Sequence, residues 1–144
     1  MDLLERASAL AACRLFADLA PAVIIRLAAR ARPRTLEPGD RLTTDTDVWV
    51  VVDGQIVIAS TTAVALDATA STTRKHGGTA FAGDVLGLVR VVAPATPALS
   101  ALAVKPSRVV GLALDVMRDM LEEDPPALAA LADALARVLL GASA

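Results

Sequence analysis

The chain has 144 residues, of which 55% are apolar and only 2% aromatic, with no tyrosine, so it can bury one ordinary core and is too apolar for disorder. A formal net charge of −2 without a Lys/Arg-dense tract lacks the electrostatic footprint of a nucleic-acid binder. A single cysteine, Cys13, excludes an internal disulfide and a zinc site built on paired thiolates, and a single histidine, His76, cannot furnish a metal-dependent β-barrel enzyme.

Asp2 and Glu5 interrupt the start of the chain, so no secretory pattern is read there and a cytoplasmic location is expected. Residues 2–13 are predicted to be helical, because Leu3, Leu4, Ala7, Leu10 and Ala11 fall on one side at helical spacing. Cys13 is expected to fill a small core site on that helix. A turn over 17–21 follows, and Pro21 suits the first position of a second helix. In that helix Val23, Ile24, Leu27, Ala28 and Ala31 form an apolar stripe, Arg26 and Arg30 take the solvated side, and Pro33 is the expected stop.

From 34 to 114 the spacing changes to short β-type runs. A turn over 36–40 leads to a strand around Arg41-Leu42-Thr43. The runs 48–52 and 55–59 flank Asp53-Gly54, the strongest hairpin signal in the chain. Trp49, the only tryptophan, is expected to fill core with its N–H at a rim. A further β run is predicted over 63–70, then a polar loop over 71–78 that carries Arg74, Lys75 and His76. Strands over 98–104 and 108–114 close the β part. The longest uncharged apolar run, 91–104, is short and contains Pro94 and Pro97, so no membrane span is expected.

Beyond Leu114 the helical period returns. Asp115 is the expected N-cap of a helix over 116–123, and Asp124 of a second that starts at Pro125-Pro126. In the last helix Leu128, Leu131, Leu135 and Val138 form a short heptad-like seam, read either as a dimer contact or as packing back on the β unit. Together these elements describe a single α+β domain over 1–144: N-terminal helices (1–33), a jelly-roll-like β-roll (34–114) and two C-terminal helices (115–144) packed on it.

Little catalytic chemistry is written in the chain. Asp115, Asp119, Glu122, Glu123 and Asp124 sit at helix ends, where capping and solvation account for them, and no glycine pattern of a nucleotide-hydrolysing or dinucleotide-binding loop occurs. No enzyme and no metal site are expected. The stretch 83–100 reads as a tight turn, a short helix starting at Gly87 and a proline-broken loop. Free N–H groups of Gly87, Leu88 and Val89 at such a helix start would favour an anion, whereas the alternative is a crossover whose glycines only permit tight turning.

The order of Leu15-Phe16-Ala17-Asp18-Leu19, Pro38-Gly39-Asp40, residues 50–54, Gly83-Asp84-Val85-Leu86-Gly87 and Arg108-Val109 resembles a cyclic-nucleotide-binding domain. This is the regulatory module of catabolite-activator-type transcription factors, cyclic-nucleotide-dependent kinases and gated channels, and the resemblance covers about 10–140. It implies a β-roll and makes 83–100 the phosphate-binding cassette, with Gly87, Leu88, Val89, Arg90, Pro97, Ala98 and Ser100 as candidate ligand contacts. In that family a Glu after the glycine holds the ribose hydroxyl, and about ten residues later an Arg pairs with the cyclic phosphate. Here Leu88 stands at the Glu position and Pro97 at the Arg position. Losing two contacts worth roughly 1.5–3 kcal/mol each lowers affinity by about 10²–10⁴.

The resemblance therefore implies a non-catalytic regulatory or interaction module with weak or no binding of cyclic AMP or cyclic GMP and no other cofactor. Its partner would be another domain or protein, or a second copy through the last helix, with no nucleic acid bound by this chain. The alternative is a working small-ligand sensor of a larger regulator or membrane protein, in which Arg90 turns toward an anionic nucleotide.

Overall fold

The computed structural model describes residues 1–58 and 78–139. Helix α1 (Leu3–Ala11) starts at Asp2, whose carboxylate accepts the Glu5 N–H at 2.8 Å. It is shorter than predicted: a separate 3₁₀ turn, Arg14–Phe16, follows Cys13. Helix α2 (Pro21–Arg30) has Pro21 in its first turn, as expected. It ends before Pro33, which sits inside strand β1 (Arg32–Leu36). β1 is an edge strand, where a residue without an N–H is tolerated.

The remaining described strands are β2 (Arg41–Thr43), β3 (Asp47–Asp53), β4 (Ile56–Ile58), β5 (Thr79–Ala80), β6 (Val85–Leu86), β7 (Ser100–Ala103) and β8 (Ser107–Ala113). They form two antiparallel four-stranded sheets, ordered β1-β8-β3-β6 and β2-β7-β4-β5. The Asp53-Gly54 hairpin does not form, because β3 and β4 lie in different sheets. Gly54 instead turns the corner between them with φ +105°, and a Cβ there would overlap Ser107. Ser107 holds the corner: its hydroxyl accepts the Gln55 N–H at 3.1 Å and donates to the Lys105 carbonyl at 2.8 Å. The run expected over 63–70 and the loop residues Arg74, Lys75 and His76 lie outside the described residues.

The inner strand β3 contributes residues to the cores on both faces of the first sheet, which is why 48–52 is continuously apolar, whereas the edge strand β1 is exposed from Arg32 to Thr35. Val48, Val50, Val85, Val110 and Leu112 pack toward the helices, while Val51, Leu86 and Val109 face the second sheet. Leu42, Ile56, Ala80, Ala101 and Ala103 meet them from that sheet, with Leu36 and Leu99 between. Trp49 packs half-buried on this inter-sheet core, and its indole N–H donates to the Thr43 carbonyl at 2.8 Å, the rim position expected. Gly111 makes room for the ring, since a Cβ there would stand 2.6 Å from it.

Helix α4 (Leu114–Glu122) begins two residues earlier than predicted, with Ala113 rather than Asp115 at its cap; Asp115 lies in the first turn and accepts the neighbouring Val116 N–H at 2.8 Å. Asp124 does cap α5 (Pro125–Leu139), through the Ala127 N–H at 3.2 Å. Leu131 and Leu135 are fully buried in the chain's own helix-side core, and Leu128 and Val138 pack partly buried against it. That seam thus holds α5 to its own domain, helped by an exposed Arg137–Asp18 pair at 3.1 Å. No described helix is long and apolar enough to cross a membrane.

Candidate functional site

The segment 83–100 begins as an extension of the first sheet. Val85 and Leu86 pair with Val50 and Trp49, and the flanking turn is closed from both sides. The Val51 N–H donates to the Asp84 carbonyl and the Gly83 N–H to the Val51 carbonyl, each at 2.9 Å. The largely buried Asp84 carboxylate accepts the Phe81 N–H at 2.8 Å. The chain then reverses at Gly87, where glycine is required twice over. Its φ is +87°, and a Cβ would stand 2.7 Å from the Thr44 methyl carbon.

Thr44 ties this turn to the far end of the segment. Its hydroxyl accepts the Leu99 N–H at 2.7 Å, and its own N–H donates to the Leu99 carbonyl at 3.0 Å. The predicted helix starts at Val89 rather than Gly87 and runs only to Val92; we call it α3. Four residues give barely one turn, with little summed dipole to attract an anion. The Arg90 N–H is already used on the Gly87 carbonyl at 3.1 Å.

The candidate contacts differ widely in exposure. Leu88 is 0% exposed and packs with Val89 and Val91 in the helix-side core, away from the inter-sheet filling. Pro97 is exposed, and Ala98 and Ser100 are half-buried, Ser100 as the first residue of β7. Arg90 folds back on the backbone: its guanidinium donates to the carbonyls of Thr44, of Asp45 at 3.0 Å and of Thr96 at 2.9 Å. The Arg90 carbonyl in turn accepts from Arg118 of α4 at 3.2 Å, while the buried Nε of Arg118 has no acceptor. Between the sheets, Leu36, Leu42, Ile56 and Leu86 are at most 2% exposed, so the roll is filled by side chains there.

Two residues of this arrangement, Thr44 and Arg118, carry no mark in the sequence, since a buried threonine and a surface-helix arginine look like any others until the strands are paired. Cys13 is buried and its thiol is pushed up to about 11, chiefly by desolvation, which makes it a packing residue rather than a nucleophile. Among the described residues no three of the His, Cys, Asp and Glu side chains cluster as metal ligands would.

No protein-family model and no curated protein matches the chain. Solved structures do match it in shape. A protein from Geobacter metallireducens GS-15 named for cyclic-nucleotide binding superposes with a TM-score of 0.67 at 18% identity, covering 89% of this chain and 90% of the other. The sensor domain of the transcriptional regulator DNR from Pseudomonas aeruginosa gives 0.69 at 17% identity, over 95% and 90%. The regulatory subunit of a cAMP-independent protein kinase A from Trypanosoma brucei, a mutant bound to cAMP in its A site, gives 0.65 at 15% identity. That match covers 94% of this chain but only 47% of the kinase subunit. Two antiparallel sheets facing each other, a glycine-turned segment with one short helix, and flanking N- and C-terminal helices give this chain the α+β fold of the cyclic-nucleotide-binding domains.

Proposed function

We propose that the chain is a non-catalytic regulatory or interaction module on this fold, and that its cassette does not hold cyclic AMP or cyclic GMP. It acts by docking against another domain or protein, or against a second copy of itself, and not on nucleic acid. One observation carries the reading. Arg90 is the sole cation between Gly83 and Ser100, and its guanidinium is committed to three backbone carbonyls. Freeing it for a phosphate would take the Arg90 donor from all three carbonyls; the Asp45 bond is exposed and water can replace it, but the Thr44 and Thr96 bonds are part-buried, and sheltered acceptors left unpaired cost about 1–3 kcal/mol each. Leu88 cannot replace the missing acid, because it is closed inside the helix-side core. The fold is compatible with such a role, since the similar Trypanosoma subunit belongs to a kinase described as cAMP-independent.

A sensor of some other small ligand is the second reading, supported by the fold shared with the DNR sensor domain. Thermal melting separates nucleotide sensing from docking. A nucleotide present at about a hundred times its Kd would add about 2.7 kcal/mol and raise the melting temperature by at least about 5 °C. The expected outcome with millimolar cyclic AMP or cyclic GMP is a shift below about 1 °C. A shift that saturates with either nucleotide would refute the proposal.

A further inference from the structure

A cleft of about 470 Å³ runs between α2 and α4, remote in sequence from the cassette and sharing no residue with it. Its α2 wall carries Arg26 and Arg30, its α4 wall Asp119 and Glu123, and Met120 and Val116 lie half-buried between them. The two arginines are four residues apart, and so are the two acids, so each wall presents charges about 6 Å apart, one helical turn. All four side chains are exposed, and among the described residues none has an ion-pair partner. Ile25, 45% exposed and one turn before Ala29 of the cleft, extends the apolar surface beside the arginines. An apolar floor between two unpaired rims of opposite charge has the anatomy of a recognition surface.

We infer that this cleft docks a second copy of the same chain about a two-fold axis running along it. Such an axis turns one molecule over while keeping positions along the cleft, so the Arg26/Arg30 wall of each copy meets the Asp119/Glu123 wall of the other. The surface is self-complementary, as an isologous interface must be, whereas a two-fold across the cleft would set arginine against arginine. The last helix cannot take this role through its leucine seam, because Leu131 and Leu135 are spent inside the domain. A cleft of this size gives a small interface, hence a weak dimer that forms at high concentration and dissolves with salt.

Sedimentation of the full chain with charge-swapped variants tests this. At about 500 μM protein and ~50 mM salt the mass is expected to approach that of a dimer, and to return to that of a monomer at ~0.5 M salt. R26E/R30E and D119K/E123K are each expected to be monomeric, since each then carries one sign on both walls. Mixed in equal amounts they are expected to form a heterodimer, because acid walls then face basic walls on both sides. Circular dichroism confirms that each variant is folded, and the salt dependence of the unaltered chain tests the idea without any variant. A chain that stays monomeric, single-sign variants that still dimerise, or a mixture that does not pair would each overturn the inference. None of these results bears on nucleotide binding at the cassette, which the melting experiment reads separately.

Discussion

Gly87 shows how one residue can look like a ligand site and serve another purpose. Its left-handed backbone and its contact with Thr44 turn the chain so that Leu88, Val89 and Val91 enter the helix-side core. A left-handed alanine costs about 1–2 kcal/mol, and the overlap with Thr44 adds about 1–3 more. Gly87→Ala is therefore expected to lower stability by about 2–5 kcal/mol in urea unfolding, whatever ligand is present. A variant within 0.5 kcal/mol of the parent, roughly the noise of surface changes, would show that the turn carries no such load. The glycine itself was legible in the sequence as a turn. Its partner was not, because Thr44 lies 43 positions earlier and only the pairing of β2 with β7 brings it alongside.

Two arginines of unequal worth meet at the cassette helix α3. Arg90 satisfies three carbonyls, two of them on the loop between β2 and β3 and one on the loop before β7. Arg118 gives one bond to the Arg90 carbonyl and buries an Nε without an acceptor, so gain and cost nearly cancel. Arg90→Met is expected to cost about 2–4 kcal/mol of stability, and Arg118→Met to stay within about 1 kcal/mol of the parent, both read by chemical unfolding. Equal effects would contradict this division. The sequence marked Arg90 as a residue of interest for its charge alone. Its position between Gly87 and Pro94 gave no hint that three carbonyls would converge on it.

For the molecule as a whole, the order of helices and strands was readable because apolar spacing of 3.6 and 2 survives in short windows. Sheet membership was not. Asp53-Gly54 carries the local chemistry of a hairpin, yet β3 gains a long register with β8, from Asp47 opposite Ala113 to Asp53 opposite Arg108, and Ser107 fills the space a hairpin glycine would leave open. Non-local pairing overrode the local turn signal. The exposed Asp53–Arg108 pair at 2.6 Å then fastens the end of that register, and its hydrogen bond holds the Asp53 carboxyl below the usual carboxylate range. In the same way the leucines of α5, which read equally as a seam between copies, are closed against the first sheet's helix layer. Among the described residues, the space between the sheets is filled by the chain's own side chains, and the Arg90 guanidinium is engaged by the chain's own carbonyls.

The claim that the cassette is engaged with itself is tested most directly by following backbone amide resonances during titration with cyclic AMP and then cyclic GMP to millimolar concentration. The amides of Gly87, Leu88, Val89, Arg90 and Leu99 are expected to stay in place throughout. Saturable movement of those amides, with the Thr44 amide moving in step as Arg90 leaves its carbonyl, would contradict that claim.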